Sequence, residues 1–324
     1  MIGASRNART PARSRGIALL VALILVALST TIAAALSFDT GLGLRRAQGG
    51  LAQDQALLLA GGAEAIAAEI LVDELAAGNA PVHFAQRWHN PIGPLEPLPG
   101  VRVSAQLEDL QGRFNLNSLV GADGRSDPVA LQVFRRLLLR LDLEPEWADR
   151  MADWIDADDQ ALPSGAEDAT YASTVPAYRT PGRPVTTVAE LLALPDFGAA
   201  RYARLAPFVA ALPRDARINL CTASAQLLDA LSDEQQWTGA PEALARNRER
   251  ECFPSPATFR SALPADAYER LQRSVGLGDR SKHFGLEVRA GVGSTEFSLY
   301  SLLRSTPGAE GPARVRVMSR QFSE

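Results

Sequence analysis

Six carboxylates crowd into residues 153–168: Asp153, Asp156, Asp158, Asp159, Glu167 and Asp168. No lysine or arginine occurs between Met151 and Tyr178 to offset them. Side by side, each carboxylate raises the cost of ionising the others, and a bound cation would remove that cost. The donors are all hard oxygens, which suits calcium, a cation that takes about six to eight of them in flexible geometry. The spacing agrees. With Asp156 as position 1, Asp158 falls at 3, Gln160 at 5, the Leu162 carbonyl at 7, Ser164 at 9 and Glu167 at 12, the ligand positions of a twelve-residue calcium loop. Ala161 stands where such a loop turns on glycine, and Pro163 is unusual at position 8, so the segment departs from that pattern. The candidate ligands are Asp156, Asp158, Glu167 and Asp168, with Asp153 as a further ligand or a support for the helix end. A magnesium or manganese site and a solvated acidic loop are the alternatives.

Other chemistry finds little to work with. Cys221 and Cys252 lie 31 residues apart without a CxxC pattern. That excludes a cysteine-based zinc site and permits one disulfide in an oxidising compartment, or two separate thiols. Two of the three histidines, His83 and His89, fall in a proline-rich stretch, and no HExxH, GxSxG or phosphate-binding glycine motif has a suitable context. No catalytic residues are assigned. Trp88, Trp147, Trp154 and Trp237 read as core anchors.

The elements that must position these groups begin with the N-terminus. Residues 17–36 (IALLVALILVALSTTIAAAL) contain neither charge nor proline. At ~1.5 Å per residue, such a helix spans ~30 Å, the hydrocarbon thickness of a bilayer. Arg6, Arg9, Arg13 and Arg15 precede it with no acid among residues 1–16, so that end stays in the cytoplasm and the bulk is exported. Three readings compete. One is a secretory signal peptide cut near Ala33-Ala34-Ala35, although its apolar run is longer than usual. The second is a plain signal anchor, and the third a short basic leader ending at Gly16. Helix continues to about residue 77, ~90 Å in all, with Leu59, Ala63, Ile66 and Ile70 forming a stripe that can lie against a sheet. Gly49-Gly50 and Gly61-Gly62 weaken it by about 1 kcal/mol per glycine and are candidate bends.

In the body, residues 81–99 hold five prolines and read as a loop. Residues 101–108 (VRVSAQLE) alternate as a half-exposed strand, and so do 284–290, 296–302 and 313–319, enough for one antiparallel sheet. Between them the pattern is helical, with helices over 128–141, 146–155, 188–194, 223–231 and 264–275. The expected fold class is α+β: a long N-terminal helix packed on an antiparallel sheet, with a large all-α domain inserted between the first and later strands. The divisions are a leader (1–16), a transmembrane segment (17–38), helix spine and first strand (39–117), helical insertion (118–282) and returning strands (283–324).

Particular segments carry a family resemblance. Ser14-Arg15-Gly16-Ile17-Ala18-Leu19-Leu20 resembles a type III (prepilin) leader running into a mature helix. Residues 109–117 (DLQGRFNLN), 153–158 (DWIDAD), 165–171 (GAEDATY), 218–224 (INLCTAS) and 281–287 (SKHFGLE) resemble, in order, segments of the K-subunit minor pseudopilins of the type II secretion system. The resemblance implies a pilin-like fold and a non-catalytic subunit, single-pass in the inner membrane, with its bulk in the periplasm. It implies cleavage by the prepilin peptidase between Gly16 and Ile17, methylation of Ile17, and a calcium ion in the acidic region. The implied partners are minor pseudopilins of the I and J kinds, other pseudopilins and the inner-membrane assembly platform. Most pilins carry glutamate at the fifth mature position, thought to neutralise a neighbour's N-terminal ammonium. Val21 stands there, as is typical of a subunit with nothing above it, where a buried charge would lack a partner.

A secreted, calcium-stabilised binding domain with an ordinary signal peptide is the alternative, and an exported enzyme a third. Residues 191–198 (LLALPDFG) followed by 218–224 also resemble a helix-hairpin-helix DNA-binding module, but Asp196 replaces the glycine that would face a phosphate. Of the 324 residues 46% are apolar, a globular share, and the formal net charge is −4. Past residue 16 the chain holds 29 basic against 37 acidic residues, which opposes nucleic-acid binding.

Overall fold

The computed structural model describes residues 14–76, 78–293, 295–306 and 313–323. Most of the expected leader, residues 1–13, lies outside them. Helix α1 (Ser14–Glu74) runs unbroken through Gly16 and through both glycine pairs, so the expected bends do not interrupt it. Ile17 and the residues up to position 50 expose their side chains. Farther on, the helix settles onto the sheet through Ala56, Ala60, Ala63, Ala67 and Leu71, each buried. This stripe differs from the expected one. Ile66 points outward, 52% exposed, and Leu59 and Ile70 are half-buried. Alanine rather than the larger residue faces the strands, because a small side chain lets the helix axis approach the sheet closely.

Strands β1 (Ile92–Leu98) and β2 (Val101–Asp109) come next in the chain. The short strands β3 (Phe114–Asn115), β4 (Val209–Ala210), β5 (Ile218–Asn219) and β6 (Leu277–Gly278) follow and form two parallel pairs. The main sheet resumes with β7 (His283–Val292), β8 (Thr295–Thr306) and β9 (Arg314–Ser323). Its order is β1-β2-β7-β8-β9, antiparallel throughout. Strand β1 corrects the reading of residues 81–99 as loop. Proline lacks an N–H and is tolerated at a sheet edge, and Pro94 and Pro97 sit in an edge strand whose pairing shifts register twice.

The helical unit contains α2 (Pro128–Arg140), α3 (Trp147–Ile155), α4 (Asp168–Tyr171), α5 (Gly198–Leu205), α6 (Ala225–Ser232), α7 (Pro241–Arg248), α8 (Pro256–Ser261) and α9 (Ala265–Ser274). Helix α2 shows why its start was legible: Asp127 accepts from the N–H groups of Val129 and Ala130, and Pro128 occupies the first turn. Residues 188–193 form a 3₁₀ turn in place of the expected α-helix. One apolar core, drawn from Phe114 to Leu277, holds this unit, and a second, from Ala56 to Leu303, joins α1 to the sheet.

Candidate functional site: an acidic loop and the seam that supports it

The acidic loop joins α3 to α4 and spans residues 156–167. Helix α3 is amphipathic in an unusual sense, because its buried face includes Asp149 and Asp153. Asp153, fully buried, accepts from the Leu162 N–H at 3.1 Å and so folds the loop back over the helix end. Gly165 lies so close that a Cβ there would fall 1.8 Å from Asp153 Oδ2, which leaves glycine as the residue that fits. Asp149 accepts from Ser164 N–H at 3.2 Å and pairs with Arg135. Asp168 turns toward the following segment: its Oδ1 accepts from the N–H and hydroxyl of Thr180, each at 3.0 Å, and its Oδ2 lies 3.7 Å from Arg179 Nε.

Asp156 and Glu167 behave differently. Asp156 is 4% exposed, and its Oδ1 has no hydrogen-bond partner among the described residues; the same is true of Glu167 Oε1. Burial, then the charges of Asp153 and Asp158, raises Asp156 from 3.8 to about 7. Burial, then Asp153, Asp156, Asp158 and Asp159, raises Glu167 from 4.5 to about 7. Asp153 is pushed to about 6, again by burial first, against the hydrogen bonds from Leu162 and Ala166. Asp158 is exposed and accepts from Gln160 N–H at 2.9 Å. Among the described residues no three Asp, Glu, His or Cys side chains are gathered as a metal ion requires. What the loop does show is mutually repelling carboxylates with two buried oxygens unpaired, a donor set of hard oxygens that fits a divalent cation.

The remaining sequence motifs meet at the seam between the helical unit and the sheet. Asp109 is buried, and its Oδ2 accepts from Asn219 Nδ2 at 2.8 Å and from the hydroxyls of Thr222 and Ser281, each at 2.6 Å. Its Oδ1 accepts from Gln111 N–H. Burial raises its pKa although all these donors oppose the shift. Segments 109–117, 218–224 and 281–287 therefore carry a structural knot. The segments are legible in the sequence but their shared centre is not, because a buried aspartate is recognised by partners as much as 172 residues away.

Cys221 and Cys252 are joined by a disulfide, with Cα atoms 4.6 Å apart, close to the same seam. Among the described residues, the helix from Ile17 to Glu74 is the one long and apolar enough to cross a membrane. Ser29, Thr30 and Thr31 turn their hydroxyls back onto carbonyls three or four residues earlier, which satisfies them without water. Val21 is on this bare stretch, 48% exposed.

An apolar spine laid on an antiparallel sheet, enlarged by a helical unit between two of its strands, defines a pilin-like assembly subunit. Residues 112–214 match the family described as type II secretion system (T2SS), protein K. The chain is 33% identical to the type II secretion system protein K of Pectobacterium carotovorum, covering 96% of this chain and 97% of that one. It is 34% identical to that of Pseudomonas aeruginosa, covering 95% and 93%. Among solved structures it resembles a chain of the GspK-GspI-GspJ complex from enterotoxigenic Escherichia coli, with a TM-score of 0.72 and 25% identity over 86% of this chain and 99% of that chain. The chain belongs to the type II secretion system protein K family, whose members are minor pseudopilins of that system.

Proposed function

We propose that this chain stands at the tip of the pseudopilus, where it helps to start assembly and the export of folded proteins across the outer membrane. Its role is structural and involves no catalysis. It joins minor pseudopilins of the I and J kinds, with other pseudopilins and the inner-membrane platform below. The observation that carries this reading is the likeness over nearly a whole chain solved together with GspI and GspJ. Val21 supports it, since a top subunit has no neighbour above whose ammonium needs a carboxylate. In this reading the prepilin peptidase cuts between Gly16 and Ile17, Ile17 is methylated, and α1 anchors the chain in the inner membrane with its bulk in the periplasm. Co-expression with the I- and J-kind pseudopilins of the same source tests the assembly. One stable species containing all three chains is expected; separate elution contradicts the proposal.

Calcium is the second part of the proposal. Asp156, Asp158 and Glu167 would draw together around it, while Asp153 and Asp168 secure the two ends of the loop through Leu162 and Thr180. Bound there, the ion supplies the positive charge that the segment lacks. The support is the pair of unpartnered buried oxygens on Asp156 and Glu167.

A further inference from the structure

A cavity of about 630 Å³ opens at the seam, between the end of α1, residues 215–217, and strands β7 and β8. Gln111 fixes its chemistry. Its amide nitrogen donates to the Arg217 carbonyl at 2.7 Å, while its Oε1 accepts from the N–H groups of Lys282 at 2.7 Å and His283 at 3.2 Å. Backbone partners thus set which way the amide faces. Because Oε1 can only accept, the His283 Nδ1 that lies 3.1 Å from it carries the ring proton. Nε2 is left as a lone pair, buried and without a partner among the described residues.

Arg304 sits directly across the β7–β8 ladder from His283. Its Nε is likewise buried and unpartnered among the described residues, and both side chains belong to the cavity wall. A buried acceptor and a buried donor are therefore neighbours, each costly to leave unpaired. The surrounding charge is positive. Arg217, Lys282 and Arg304 line the cavity with no ion pair among the described residues, whereas Glu74 faces Arg87 and Asp279 faces Arg280. Asp215 is the remaining acid on the wall.

We propose that this cavity binds an oxyanion that carries its own proton, the chemistry of inorganic phosphate: the ligand hydroxyl donates to His283 Nε2, and a charged ligand oxygen accepts from Arg304 Nε. Gln111 acts as the positioning residue that holds the tautomer. Burial, then the Arg304 charge, keeps His283 down at about 4; Asp215 opposes the shift and Lys282 adds to it. The imidazole is accordingly neutral at periplasmic pH and accepts a proton rather than offering one. Sulfate has no hydroxyl at that pH and meets only the arginine.

The test uses the full chain in detergent, ¹⁵N-labelled at histidine, titrated with inorganic phosphate and separately with sulfate. At about pH 8 phosphate should bind at least about tenfold more tightly than sulfate, the fold-change of one hydrogen bond to a charged ligand, and the gap should narrow as acid protonates His283. Arg304→Gln should weaken phosphate binding by about tenfold or more. If that variant unfolds, the wild-type spectrum decides alone. Free protein must show His283 protonated on Nδ1, and phosphate must move its Nε2 resonance. Equal affinity for the two anions at that pH, an Nε2-protonated ring, or an unmoved Nε2 resonance overturns the proposal.

Discussion

Arg320, near the end of the last strand, donates from Nε at 3.0 Å and from Nη2 at 2.6 Å to the carboxylate of Glu64, buried in α1. Ser301 of β8 donates to the same carboxylate at 2.5 Å. Burial alone would raise the pKa of Glu64, but the bonds from Arg320 and Ser301 outweigh it and the net shift is downward. These contacts fasten the spine to β8 and β9. Arg320→Met should therefore destabilise the chain by about 1–3 kcal/mol in urea unfolding, less than for a fully buried pair because Arg320 is half exposed. The sign with pH follows from the depressed acid. Its contribution is complete above the ordinary value of 4.5 and is lost as pH falls through the lower folded value, so the variant should lose less stability on acidification than wild type.

The acidic loop predicts the opposite trend. Asp153, Asp156 and Glu167 have raised values, about 6, 7 and 7, so their protonated forms favour the folded state. In the presence of a chelator, Tm should fall as pH rises from about 4.5 through 7, and calcium should restore it most at the alkaline end. Asp156→Asn combined with Glu167→Gln should raise the Tm of the chelated chain and remove the calcium increment. An equal calcium increment in wild type and the double variant would remove the ion from this loop.

The Cys221–Cys252 bond closes a span of 31 residues. By chain entropy this stabilises the helical unit by about 3–4 kcal/mol. Cys252→Ser should lower stability by that order in reversible unfolding, and protein purified without reductant should show no free thiol.

Leu44, Leu51 and Leu58 recur every seven residues on α1 and are 59%, 59% and 76% exposed. If the proposed tip complex packs helix against helix, this row is the seam. Leu51→Glu with Leu58→Glu should abolish co-elution with the I- and J-kind subunits while leaving the unfolding midpoint within about 0.5 kcal/mol of wild type.

The parts of this fold legible in sequence are those with a local cause. The apolar span from Ile17 needs only its own length, and β2, β7 and β8 announce themselves by alternation because one face of the sheet is covered. The acidic loop was legible as composition and spacing. Non-local features were not. The spine's buried row is set by how closely α1 approaches the strands, which favoured alanines over Ile66. Strand β1 was hidden by prolines that only an edge position tolerates. Glu64 and Asp109 draw their meaning from partners in the last third of the chain.

Mass spectrometry of the N-terminus of the chain purified from its native source bears most directly on the central claim. A mature protein beginning at Ile17 with a methylated amine is the predicted result. A chain that begins near residue 36, or one that keeps Arg15 and Gly16, would contradict the assembly role proposed for it.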